Sequence, residues 1–213
     1  YILRVYASDG TDKINGLLYC MDSNDYTADA EKYGNYAWID WGQIAWYREQ
    51  SRQYTTKNNG NPLPALAFFH IGVPEFKHLQ NRPDMYGHLG EGGGFPKINS
   101  GMFQSMIEMG DVMGVFVGHD HDNDYIAQEY GIALAYGRVS GHDAYGDLER
   151  GARIVELYED GRQFDTWIAT PSGKSLAYYY PSAITSDDEA IVPLPAKQVA
   201  PQNQGVAYLY YEG

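Results

Sequence analysis

The sequence predicts an α/β (α+β) chain, and three observations carry that prediction. Residues 63–71 and 112–118 are apolar on both faces, the pattern of strands covered on two sides in the middle of a sheet. Residues 38–54 repeat apolar side chains at three- and four-residue steps, the pattern of an amphipathic helix. From 124 to 170 the chain breaks into short alternating runs separated by turn residues, the pattern of half-buried strands.

The elements follow in order. Residues 1–6 alternate as a strand, and Gly10 supplies a turn within a polar stretch. Residues 16–21 make a second, more continuously apolar strand, and 22–35 a polar loop rich in Tyr and Gly. Helix 38–54 is expected to bury Trp38, Trp41, Ile44, Ala45 and Arg48, and to end at the Asn58–Pro62 cluster. Residues 72–99 form a long irregular loop punctuated by Pro and Gly, a length that usually signals function. Ser100 reads as the cap of a short helix that ends at Gly110. Strand 112–118 then runs into His119. Runs 124–137, 152–158 and 163–170 are strands, and the Pro-rich end from 171 is linker-like.

The 213 residues carry 15 Lys and Arg against 28 Asp and Glu, a formal net charge of −13. With 44% apolar and 20% charged residues this is the composition of a folded chain. The acidic balance argues against nucleic-acid backbone binding, which needs clustered Lys and Arg. A small anion held through a metal stays open, because the metal brings its own positive charge. The single cysteine, Cys20, leaves no intramolecular disulfide, and no apolar run approaches the roughly 20 residues of a membrane span. No stretch of the given residues reads as a signal peptide. The chain opens at Tyr1 in mid-pattern, and is expected to be a piece of something longer.

Two of the apolar strands end in histidine. The first ends at Phe68-Phe69-His70, the second at Gly118-His119-Asp120-His121. Ligand sites in α/β sheets form at the carboxyl ends of strands, where loops diverge. A single histidine there, such as His70, is usually a hydrogen-bonded structural residue. For Gly-His-Asp-His the balance reverses, because packing gives no reason to crowd two imidazoles and a carboxylate after a buried strand. Metal binding by His119 and His121 is the expectation, with Asp120 turned away or orienting an imidazole.

The stretch from Gly118 to Tyr125 resembles the last signature motif of the calcineurin-like metallophosphoesterases. The stretch from Leu66 to Glu75 resembles the motif before it. In style both are similar to a purple-acid-phosphatase-like bacterial branch, over about residues 14–170. The resemblance implies the C-terminal half of a two-sheet αββα sandwich, with a mixed sheet on each side of the core. With the Pro-rich composition of the end, the expected division is 1–170, that half domain, and 171–213, an extended linker in which 205–213 looks like the opening strand of a further β domain.

In that family two metal ions clamp a phosphoryl group, and a metal-bound hydroxide attacks in line. Carried over, His70 and His119 resemble ligands of one ion and His121 a ligand of the other. The ions would be divalent or trivalent Fe, Mn or Zn, with partial or no occupancy in this chain. The family's earlier motifs, with their bridging Asp, Asn ligand and catalytic His, have no counterpart here: Gly34-Asn35 is followed by Tyr36, and Gly110-Asp111 and Gly146-Asp147 lack the later ligand. The chain alone is therefore expected to be inactive. Its expected partners are a phosphate ester and the N-terminal half of the same domain, in an extracytoplasmic setting. Without that half, strands 63–71 and 112–118 would show unpaired edges.

Three further histidines and one carboxylate complete the candidates. His78 and His88, in the long loop, read first as solvated; in related phosphatases such a loop approaches substrate, where an imidazole can bind phosphate or protonate a leaving group. Glu91 matches a recurring acidic position and is expected to anchor the loop. His142 reads as structural, with a supporting role at the metal rim left open. A non-catalytic binding module that keeps the scaffold is the alternative function.

Overall fold

The computed structural model describes residues 1–159 and 161–191. Strands β1 (Ile2–Tyr6) and β2 (Ile14–Cys20) form an antiparallel hairpin. A short helix α1 (Ala30–Tyr33) is capped by Asp29, whose carboxylate accepts the Lys32 amide hydrogen. Helix α2 (Trp41–Lys57) is capped in the same way by Asp40 and stops before Asn58. Then follow β3 (Ala65–Phe68), α3 (Phe76–Leu79), α4 (Met102–Met109), β4 (Val112–Val117), β5 (Ile126–Glu129) and β6 (Ile132–Tyr136). The last elements are β7 (Ala152–Leu157), β8 (Phe164–Thr170), β9 (Gly173–Tyr180), β10 (Ile184–Thr185) and α5 (Ser186–Ile191).

Two sheets result. The larger has the order β1-β2-β3-β4-β6-β5, in which β2, β3, β4 and β6 are mutually parallel and both edges antiparallel. The smaller has the order β10-β9-β8-β7 and is antiparallel throughout, so only one of the two sheets is mixed. One face of the large sheet packs against α2, α3 and α4 through Tyr19, Tyr47, Phe76, Met102 and Met106. The other face packs against the small sheet through Leu66, Met113, Phe116, Phe164 and Tyr178. The continuous apolar character of β4 and β6 follows: every residue of both strands is buried, because each face meets a layer.

Several expectations are corrected here. Strands β3 and β4 are interior, each hydrogen-bonded on both sides, so neither shows an open edge. Helix α2 begins at Trp41 and buries Ile44, Tyr47, Ser51 and Tyr54; Trp41 is 77% exposed and Ala45 is exposed. The run 124–137 is a hairpin, split where Tyr130 and Gly131 both adopt positive φ. Residues 173–185 extend the small sheet rather than forming a linker, and Tyr180 stacks on Phe164. The strand expected at 205–213 lies outside the described residues.

Buried polar groups hold the layers in register. Asp111, 1% exposed, accepts Tyr19 Oη at 2.8 Å and Tyr47 Oη at 2.5 Å, tying α2 to β2 and the start of β4. Asp124, also 1% exposed, accepts the His88 amide hydrogen at 2.7 Å and pairs with the Arg138 guanidinium. Arg153 beside it donates to Tyr136 O at 2.6 Å and to Asp124 O, and desolvation of its guanidinium lowers its pKa to about 10.

Candidate metal centre and its surrounding loops

The parallel register brings Cys20, Phe68, Val117 and Tyr136 to one edge of the large sheet. The loops after them carry His70, His119, His121 and residues 137–151 to the same crevice. Backbone bonds fix the two histidine loops to each other: Phe69 N donates to Phe116 O at 3.2 Å and Gly118 N to His70 O at 3.0 Å. His119 has φ +74, a left-handed conformation uncommon for a residue with a side chain. That reversal lets His119 and His121, two residues apart, face different neighbours.

His119 Nδ1 lies 3.3 Å from His70 Nε2, with the rings nearly perpendicular. Two imidazole nitrogens on one tetrahedral ion at about 2.0–2.1 Å would stand about 3.3 Å apart. The pair therefore fits two ligands of a single ion. His70 is open to solvent; the desolvation that it does suffer, with the nearby His119 and His121, lowers its pKa and favours the neutral, ligating form. Tyr36 meets His119 edge-on, ring centroids 4.7 Å apart, and Tyr26 stacks on Tyr36. Beside the pair opens a cavity of about 390 Å³, walled by Asp22, Asn24, Asp25, Tyr26, Tyr36 and His70.

His121 has other neighbours. Its ring stacks on Tyr145, centroids 4.0 Å apart, and its Nδ1 lies 3.1 Å from the Tyr145 carbonyl oxygen. Asp120 turns inward, 8% exposed, and accepts from Gly94 N and from Tyr136 Oη at 2.6 Å. Among the described residues no group of three or more His, Cys, Asp and Glu is arranged to hold a metal ion. A dinuclear centre does not fit these residues by themselves, since among the described residues no carboxylate joins the imidazoles in such a group. What fits is a pair of ligands for one ion, with a third imidazole alongside.

The glycine-rich loop is pinned to the residues after β4. Asn123 Oδ1 accepts the amide hydrogens of Gly90 and Glu91 at 3.0 and 3.1 Å. Glu91 accepts from Asp122 N at 2.9 Å and from Tyr145 Oη at 3.0 Å. A Cβ at Gly94 would stand 2.6 Å from His119 Nε2 and 2.8 Å from Tyr36, so only glycine admits this approach. His88 is exposed, and its backbone pairs with Asp124. His142 is exposed on the loop after β6. His78 is not brought to the crevice: it pairs with Glu129 at 3.4 Å, at the opposite end of the sheet, where β5 turns into β6. The Tyr36 and Tyr145 contacts have no signal in the sequence; Gly94, in its glycine run, carried a trace of one.

A two-sheet sandwich with imidazoles converging at the carboxyl ends of adjoining parallel strands defines a class. The chain matches the C-terminal region of the calcineurin-like metallophosphoesterases. Within that class its curated relatives are purple-acid-phosphatase-like. Over 166 residues it is 37% identical to "Probable inactive purple acid phosphatase 29" of Arabidopsis thaliana, covering 74% of this chain and 42% of that protein. It is 34% identical to "Probable inactive purple acid phosphatase 14" of the same plant over 167 residues, 74% of this chain and 41% of that one. It is 30% identical to "Phosphatase DCR2" of Saccharomyces cerevisiae over 183 residues, 78% of this chain and 30% of that protein. The chain thus spans less than half the length of these relatives. They come from a plant and a yeast and do not carry the bacterial placement. No protein-family model matches the chain.

Proposed function

We propose that this chain is the imidazole-bearing C-terminal half of a metal-dependent phosphoester hydrolase, inactive by itself. The observation that carries the reading is the 3.3 Å separation of His70 Nε2 and His119 Nδ1 at the carboxyl edge of the sheet. These two residues supply ligands to one ion and His121 to a second, the remaining ligands coming from the N-terminal part of the whole protein. A bound metal in such a site supplies Lewis acidity toward a phosphoryl oxygen. The chain's own residues orient and enclose: Tyr36 and Gly94 hold the His119 ring, and the neighbouring cavity receives the ester group. Iron, manganese and zinc all suit such imidazole ligands. An extracytoplasmic setting belongs to the same proposal; among the described residues no helix is long and apolar enough to cross a membrane.

A second reading, a scaffold without catalysis, has support of its own. The word "inactive" stands in the names of the Arabidopsis relatives, and no third ligand joins His70 and His119 among the described residues. Elemental analysis and hydrolysis of an aryl phosphate separate the two. The 213-residue chain is expected to hold at most one ion and to hydrolyse nothing. The whole protein is expected to hold two ions and to turn over, with activity lost to a chelator. Whole protein loaded with metal and inert towards phosphoesters favours the scaffold reading; a tight two-metal site in the 213-residue chain overturns the ligand count.

A further inference from the structure

His121 is held by more than its own strand end. A backbone carbonyl can only accept a hydrogen bond, so the 3.1 Å contact between His121 Nδ1 and Tyr145 O requires the proton on Nδ1. An imidazole free in water favours the other tautomer, with the proton on Nε2. The carbonyl is held from outside its own peptide, by Arg150 Nη2, which donates to it at 3.4 Å, and by groups placed to fix its residue. The side chain of Tyr145 is so placed: its ring stacks on His121, and its hydroxyl donates to both Glu91 carboxylate oxygens at 3.0 Å. Glu91 is fixed in turn by the Asp122 amide at 2.9 Å, and Asp122 accepts the Asp147 amide at 2.7 Å, closing the circuit around the ring. Arg150 donates to the carbonyls of Ala144, Gly146 and Leu148 and stiffens the same turn.

We propose that Tyr145, tied down by Glu91, is a positioning residue that locks His121 in the tautomer protonated on Nδ1 and leaves Nε2 as its one free nitrogen. His119 does the reverse, directing Nδ1 towards His70. The loop after β6 thereby decides which nitrogen the third imidazole offers. That this nitrogen serves a metal rests on the reading above; the tautomer itself does not.

The test uses the 213-residue chain, free of metal, with ¹⁵N-labelled histidine. Long-range ¹H–¹⁵N correlation spectra at about pH 9 observe neutral imidazoles. His121 is expected to show a protonated-type Nδ1 and an unprotonated-type Nε2. Tyr145→Ala should move both resonances towards the opposite tautomer, and Glu91→Ala should move them part of the way. Tyr145→Phe, which keeps the ring contact and the carbonyl but loses both bonds to Glu91, should move them about as far as Glu91→Ala does. His78, at the far end of the sheet, should not change in any variant. A protonated Nε2 on His121 in the unaltered chain overturns the proposal, as does a His121 tautomer indifferent to both Tyr145→Ala and Glu91→Ala. Since no hydrolysis is measured, an inactive whole protein would leave this result intact, and a failed tautomer test would leave the hydrolase reading intact.

Discussion

Asp111→Ala is the most informative stability change. The Asp111 carboxylate is the shared acceptor of two phenols, Tyr19 Oη at 2.8 Å and Tyr47 Oη at 2.5 Å, and both tyrosines are fully buried. Removing the carboxylate leaves two buried O–H donors without a partner. Each orphaned group costs about 1–3 kcal/mol, so the variant should lose about 2–6 kcal/mol. The backbone contacts of Asp111, from Ala65 N and Arg162 Nη2 to its carbonyl oxygen, survive the substitution and do not enter the sum. Urea denaturation followed by far-ultraviolet ellipticity should show a lower midpoint at unchanged slope. Adding Tyr19→Phe and Tyr47→Phe removes the orphaned donors, and the triple variant should recover much of the loss. A loss under about 1 kcal/mol in Asp111→Ala refutes the reasoning, and so does a triple variant no more stable than the single one.

Three other outcomes are expected. Burial first, and then charge or hydrogen bonding from neighbours including the Asp111 and Asp120 carboxylates, raise the pKa values of Tyr19, Tyr47 and Tyr136; the unfolded chain releases these protons from about pH 10 upward while the folded chain keeps them, so stability should fall as pH rises past 10, as urea midpoints from pH 8 to 11 would record. Asp124→Ala leaves the Arg138 guanidinium, largely buried, without its carboxylate, while Arg153 keeps its bonds to backbone carbonyls; the variant should cost about 3–5 kcal/mol in the same assay, and a change under about 1 kcal/mol contradicts the pairing. Gly94→Ala forces its Cβ against His119 and Tyr36, and should shift the His119 ring resonances and destabilise by about 1–3 kcal/mol; unmoved resonances would contradict the close approach.

The parallel core was readable because its strands are buried on both faces, which writes β3 and β4 as unbroken apolar runs. Helix α2 was placed but rotated. Its buried face includes Tyr47, Ser51 and Tyr54, and such residues count as polar until a partner such as Asp111 is known. Strand β9 was hidden by its Ser and Lys content and by the Pro171 turn before it; Tyr178 and Tyr180 carry its packing. In the site, His70 and His119 were marked by the strand ends they follow. Tyr36 and Tyr145 were not, since each reaches its histidine from a loop far along the chain, and no spacing rule encodes that approach.

The pinning of the glycine-rich loop bears on the order of folding. Gly90, Glu91 and Gly94 bond to Asp120, Asp122 and Asn123, partners 26 to 33 residues away, and the intervening chain includes α4 and β4. That closure is shorter than the one that pairs Ala65 of β3 with Val112 of β4, so loop-closure entropy does not hold the glycine contacts back until β4 has docked. The glycine-rich loop is then expected to order together with the strand end it binds, and protection from protease there during refolding would time the assembly of that end of the sheet.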